Sequence, residues 1–200
     1  AGRENVEIVP GDILKTDLAA LTAEKFPGLT PLACANLPYN ITSPAITALI
    51  QAGVFAAITV MIQREVALRI CARLDTGYGA FSVFCQYHTA PELLFEVPPS
   101  CFIPAPKVTS AVLRMTPRPA PAEVDDEAHF FRVVRAAFAQ RRKTLANSLT
   151  SSLSGLYTKG DIQELSGSAA SPGCPRERLG IPEFAALSKA LRAQPNEPAS

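Results

Sequence analysis

No stretch of the 200-residue chain approaches the 18 consecutive apolar residues that a membrane-spanning helix needs. The first residues, AGRENVEIVPGD, lack both the basic end and the apolar run of a signal peptide, so a cytoplasmic location is expected. Charge is sparse as well: 18% of residues are Asp, Glu, Lys or Arg and the net charge is +1, which by itself points to no partner. The five cysteines (Cys34, Cys71, Cys85, Cys101 and Cys174) are odd in number, widely spaced and free of any C-x-x-C. They read as small buried hydrophobes, and no metal is expected.

What is present is apolar material and a local excess of base. At 48% hydrophobic content the chain can bury a sizeable core, as one domain or one domain plus a small satellite. Residues 1–100 hold 6 basic and 9 acidic side chains, against 13 and 9 in residues 101–200. Within 128–160 stand Arg132, Arg135, Arg141, Arg142, Lys143 and Lys159 with no Asp or Glu, a basic patch on a near-neutral protein.

Short β-branched apolar runs alternate with helical patterns through the first 116 residues, which predicts an α/β layered sheet. Strands are expected at Val6–Val9, Leu32–Ala35, Ala57–Ile62, Phe81–Tyr87 and Ser110–Thr116, with helices near Pro44–Ala52 and Arg64–Arg73. No helical pattern separates the last two strands, so they are expected to form an antiparallel pair at the sheet edge. Pro117-Arg118-Pro119-Ala120-Pro121 suits neither strand nor helix and sets a domain boundary, 1–117 against 118–200. Beyond it Phe131, Val134, Phe138, Leu145 and Leu149 share one helical face, with Arg132, Arg135, Arg142 and Lys143 on the adjoining arc. Pro182–Arg192 reads as another amphipathic helix, and the tail after Gln194 as loose.

Four stretches could carry chemistry. In PLACANLPYNITSPAI, Asn36-Leu37-Pro38-Tyr39 ends a strand, where open α/β sheets place ligands. An asparagine amide and the rigid carbonyl before a proline can accept the two protons of an exocyclic amine, and Tyr39 can stack on its ring; the plainer reading is a strand-to-helix turn, entered through Thr42-Ser43-Pro44 with a hydroxyl cap. In Gly11-Asp12-Ile13-Leu14 a carboxylate can accept from an adenosine amine, although Asp after Gly is also an ordinary turn. In FIPAPKVTS, Pro104 and Pro106 can present Phe102 rigidly opposite Tyr39, or form only a stiff edge loop. In FAQRRKTLANSL the guanidinium groups suit phosphate oxygens, or make a solvated helix face.

Taken in order, GDIL, ANLPYNITSPAI, MIQREVALRI, YGAFSVFCQY, PPSCFIPAPKVTSAVLRM and FAQRRKTLANSL closely resemble the small-subunit (16S) ribosomal RNA adenine N6,N6-dimethyltransferases, the KsgA (RsmA) family. The resemblance implies a class I, Rossmann-like methyltransferase sheet with a small helical C-terminal domain that binds ribosomal RNA. It implies transfer of methyl groups from S-adenosylmethionine to two adjacent adenosines near the 3′ end of the small-subunit rRNA. Asp12 and Ile13 would then hold the cofactor adenine, Asn36 and Leu37 would accept from the target N6, with Asn36 also beside the cofactor, and Tyr39 with Phe102 would sandwich the flipped base. Lys107, Arg132, Arg135, Arg141, Arg142 and Lys143 would meet RNA phosphates. Holding the amine in line with the methyl group is most of such catalysis, so neither nucleophile nor metal is required.

The departures matter equally. Members carry, upstream of GDIL, a Gly-rich strand-to-helix turn and an acidic residue for the cofactor ribose. This chain has neither: its G-x-G, Gly77-Tyr78-Gly79, is expected to precede a strand. The chain therefore reads as N-terminally truncated, lacking the first strands of its sheet. On that reading it is weak or inactive toward the cofactor by itself and prone to associate through exposed sheet edges, whereas its parent is a monomer. Two other functions remain open: a large-subunit rRNA adenine methyltransferase, which shares the Asn-Leu-Pro-Tyr motif, and a non-catalytic RNA-binding assembly factor.

Overall fold

A computed structural model describes residues 5–74, 77–140, 143–153, 157 and 179–192. Strands β1 (Leu32–Asn36), β2 (Ala57–Gln63), β3 (Thr89–Val97) and β4 (Ser110–Pro117) form one mixed sheet in the order β1-β2-β4-β3. β1 and β2 run parallel, with Asn36 opposite Met61, and β4 is antiparallel to both β2 and β3. A parallel pair needs a crossover, which α2 (Thr42–Gln51) supplies while burying Ala45, Ile46, Leu49 and Ile50 against the sheet. Gly53, in the left-handed region at φ 67°, ends it with its N–H on the Ile50 carbonyl.

Along β2, Ile58, Val60 and Ile62 are buried while Thr59, Met61 and Gln63 are partly exposed, the period of two that a strand imposes. They join Ala111, Leu113 and Met115 of β4 and Ala67 and Ile70 of α3 (Arg64–Cys71) in one core. A second core is wholly helical in its framework. It gathers α4 (Ala80–His88), α5 (Glu127–Phe138), α6 (Leu145–Ser152) and α7 (Ile181–Arg192) around Phe130, Leu149, Phe184 and Leu191. Phe84 packs against both cores.

The expected strands at 32–35, 57–62 and 110–116 and the helices at 44–52, 64–73 and 182–192 are present within a few residues of their expected ends. Phe81–Tyr87 is instead the helix α4. Its apolar content is continuous because it is covered on two sides: Phe81 and Cys85 belong with the sheet core, Val83 and Tyr87 with the helical one. Two-sided burial removes the polar stripe by which a helix is recognised. Gly77-Tyr78-Gly79 accordingly precedes a helix, and the Gly79 N–H donates to Ser82 Oγ, which donates onward to the Arg69 carbonyl. The antiparallel partner of β4 at the edge is β3, with a bulge between Leu93 and Phe95, a strand not anticipated. Likewise unanticipated is α1 (Leu18–Lys25), whose cap Asp17 accepts the Ala20 N–H at 2.9 Å.

Val6–Val9 forms no strand, since no described strand runs beside it to complete a ladder. Its Ile8 is 88% exposed, and Glu7 is held by Lys25 at 2.8 Å. The face through Phe131, Val134, Phe138, Leu145 and Leu149 is split between two helices, because Thr144 caps α6 by accepting the Asn147 N–H. Among the cysteines Cys85 is buried and Cys71 partly so, whereas Cys34 and Cys101 are exposed, because β1 has a single neighbour and Cys101 lies in a turn. Cys174, Arg141, Arg142, Lys159 and the tail after Gln194 lie outside the described residues. Among the described residues no helix is long and apolar enough to cross a membrane.

Candidate functional site

The end of β1 is pinned by its backbone. The Leu37 N–H extends the parallel ladder to the Met61 carbonyl at 3.1 Å, and the Leu37 side chain, 5% exposed, enters the sheet core. Pro38 then turns the chain into a 3₁₀ turn, Tyr39–Ile41. The Pro38 carbonyl accepts the Ile41 N–H and the Thr42 hydroxyl, both at 3.2 Å, and the Tyr39 carbonyl accepts the same hydroxyl. Thr42 thus braces the turn and does not cap the helix N–H groups. The amide of Asn36 and the carbonyl of Leu37 are left without hydrogen-bond partners among the described residues.

Opposite this turn lies the loop after β3. The 3₁₀ turn Pro99–Cys101 ends with the Phe102 N–H on the Pro99 carbonyl at 3.1 Å, and Ile103–Pro104 is a cis peptide. Asn36, Leu37, Pro38 and Tyr39 on one side and Phe102, Pro104 and Pro106 on the other line an open cleft of about 290 Å³. Residues more than sixty positions apart therefore line one cleft. Neither the Tyr39 nor the Phe102 ring touches another aromatic ring among the described residues. The Tyr39 hydroxyl lies 2.8 Å from Ser110 Oγ, at the first residue of β4.

The cleft has two unbonded acceptors beside an apolar, partly aromatic wall, an arrangement that suits a flat heterocycle bearing an amine. Asp12 and Ile13 are not in its lining. Asp12 is in an Asx turn: one carboxylate oxygen accepts the Leu14 N–H at 3.0 Å and the other stands 3.9 Å from Lys15 Nζ. A carboxylate has about four acceptor positions, so Asp12 can still take an amine proton, and Ile13 packs against the sheet core beside it. An acceptor with free positions beside an apolar side chain suits an amine on a flat heterocycle.

Among the described residues no basic side chain lines the cleft. Lys107 is exposed one residue beyond Pro106, Arg132 and Arg135 lie on the exposed side of α5, and Lys143 is exposed before α6. Arg132 acts on Tyr157, whose phenol is raised by burial and lowered in part by that guanidinium. Sequence reasoning missed Ser110 as the buried partner of Tyr39; its one signal is its place two residues after Val108, at the head of a strand.

The family model for ribosomal RNA adenine dimethylase matches residues 1–167. Ribosomal RNA small subunit methyltransferase A of Streptococcus sanguinis is 45% identical over 197 residues, covering 96% of this chain and 68% of that protein. The protein of that name from Streptococcus pneumoniae is 43% identical over 201 residues, with the same coverage. Among solved structures, a dimethyladenosine transferase from Plasmodium falciparum superposes with a TM-score of 0.72 at 22% identity, over 93% of this chain and 72% of that one. The 23S rRNA methyltransferase ErmE does so at 0.57 and 20%, over 90% and 80%. At these identities the two structures speak for the fold, the α/β sheet of class I methyltransferases. Because the family match runs unbroken from the loop of Asp12 through the cleft and into α6, and relatives aligned over nearly all of this chain share it, the chain belongs to the ribosomal RNA adenine dimethylase family.

Proposed function

We propose that this protein transfers methyl groups to N6 of adenosine in small-subunit ribosomal RNA, at two adjacent adenosines near the 3′ end, during ribosome biogenesis in the cytoplasm. The observation that carries the reading is the pair of unbonded acceptors, the Asn36 amide and the Leu37 carbonyl, in one cleft with Tyr39 and Phe102. Two acceptors on one turn take the two hydrogens of an adenine amine and so orient its lone pair away from the wall. The rings of Tyr39 and Phe102 stack on the extruded base; at about 1–3 kcal/mol for each ring this offsets the few kcal/mol that unstacking costs. Orientation at contact distance is what these residues contribute, and no side chain here acts as a nucleophile.

S-adenosylmethionine, when bound, supplies an electrophilic methyl group on a sulfonium. Asp12 would accept from the cofactor's adenine amine, Ile13 would cover the adenine, and Asn36 would lie where the cofactor and the target base meet. Arg132, Arg135 and Lys143 would meet rRNA phosphates, making residues 118–200 an rRNA-binding unit attached to the sheet of residues 1–117, and Lys107 would add a phosphate contact from the sheet side. The protein acts as a monomer on this reading.

The test uses the protein expressed from its whole gene, small ribosomal subunits from cells lacking this methylation, large-subunit rRNA in a parallel arm, and isotopically labelled S-adenosylmethionine. Label is expected as N6,N6-dimethyladenosine at two neighbouring positions of the small-subunit rRNA, and its loss is expected in Tyr39→Ala. Label in large-subunit rRNA would instead make the protein an ErmE-like enzyme, and subunit binding without label would make it an assembly factor.

A further inference from the structure

We propose that Ser110 is a positioning residue for Tyr39: its hydroxyl fixes the plane of the ring on which the target base stacks. This rests on the reading of the cleft as an adenine clamp. Tyr39 Oη and Ser110 Oγ are 2.8 Å apart, across 71 positions of sequence. The two ends of the bond differ in setting: the tyrosine is 37% exposed, whereas Ser110 is 1% exposed. An exposed ring is thereby tied to a buried point of the framework.

That point is rigid on both sides. Ser110 stands in an inner strand, opposite Gln63 of β2 and Val97 of β3, and the preceding Thr109 carbonyl accepts the Arg64 N–H at 3.0 Å. Ala111, Leu113 and Met115 alternate into the sheet core, so Ser110 points to the other face with Val112 and Arg114. A strand position of this kind favours valine or threonine by propensity, and a buried hydroxyl is tolerated where it has a partner. Among the described residues, Tyr39 is the one side chain that bonds it.

At its near end Tyr39 is held by the 3₁₀ turn and the Thr42 brace described above. With the Cα end set by the turn and the hydroxyl end set by β4, neither side-chain torsion of Tyr39 is free. A base arriving at a ring already in place does not have to order it, which is the gain of preorganisation. Ser110 touches neither base nor cofactor in this arrangement, and acts through Tyr39.

The experiment is a fluorescence titration of the protein expressed from its whole gene with a short single-stranded RNA carrying 2-aminopurine at the target position. That base has no 6-amino group, so its quenching reports stacking separately from the Asn36 and Leu37 contacts. Ser110→Ala and Tyr39→Phe are each expected to weaken the quenching titration by about two- to tenfold, the range of one net hydrogen bond. The double variant is expected to be no weaker than the weaker single, and Ser110→Thr to stay within about twofold of the parent. Effects of S110A and Y39F that multiply, or an S110A that melts earlier yet quenches like the parent, would overturn the proposal while leaving the clamp intact. Tyr39→Ala and Phe102→Ala variants that both quench like the parent would instead overturn the clamp itself.

Discussion

Replacing Phe102 by alanine removes one wall of the cleft and little else. The Phe102 N–H is on the Pro99 carbonyl and the backbone is extended, at φ −123° and ψ 149°, so the loop does not depend on the ring for its course. Phe102 belongs to neither buried core, and the loss of stability is expected below about 1 kcal/mol. Stacking of a base on one aromatic face is worth about 1–3 kcal/mol. At about 1.4 kcal/mol per factor of ten, that corresponds to roughly a five- to 150-fold fall in kcat/KM for methyl transfer. The assay is transfer of labelled methyl groups to small subunits by the whole-gene protein, with Phe102→Leu and Phe102→Trp alongside. Leucine fills volume without a π face and is expected to behave like alanine, whereas tryptophan is expected to retain most of the activity. An F102A enzyme within twofold of the parent, or an F102L enzyme equal to it, would refute the stacking role.

The Asn36 side chain is exposed and has no hydrogen-bond partner among the described residues, so Asn36→Ala is expected to leave the melting temperature in place and lower methyl transfer by about tenfold, one hydrogen bond to the amine; unchanged transfer would count against the acceptor role. Arg132→Ala with Arg135→Ala is expected to flatten the salt dependence of RNA binding, by about 0.7 in slope for each phosphate that is no longer neutralised, and an unchanged slope would return that face of α5 to plain solvent. Phe130, fully buried where α5 meets Tyr87 of α4 and beside its own neighbour Phe131, is expected to cost about 3–5 kcal/mol as Phe130→Ala in denaturant unfolding. His88 has its pKa lowered by burial, with Glu127 at 3.5 Å opposing in part. The neutral form is therefore favoured by folding, so its contribution is present above about pH 6.5 and is lost as pH falls through that value toward the lowered one. Melting temperatures measured between about pH 7.5 and pH 5.5 are expected to fall, and to fall less in His88→Phe.

Fold class and the cleft were legible for different reasons. Strands such as Ala57–Gln63 announce themselves because one core constrains alternate residues, and α2 because its apolar face repeats at helical spacing. The α4 segment misleads for a physical reason: both of its sides are buried, so neither period survives. β3 hides behind Pro91, Glu92 and Glu96, residues that a strand accepts at an edge but that local propensity does not favour.

The residue types of the cleft came from short segments of the chain itself: an amide, a carbonyl before proline, and two rings stiffened by neighbouring prolines, which alone leave a plain turn and a stiff edge loop open and point to a base only through the family resemblance. Their meeting did not. Asn36 and Phe102 come together because β1 and β2 run parallel, while β4, whose first residue follows the Phe102 loop, pairs antiparallel with β2 near Gln63. Only that register brings Ser110 within 2.8 Å of the Tyr39 hydroxyl, a contact across 71 positions that no local pattern encodes. Short-range sterics and hydrogen bonding shape the parts, and the pairing of strands decides which parts touch.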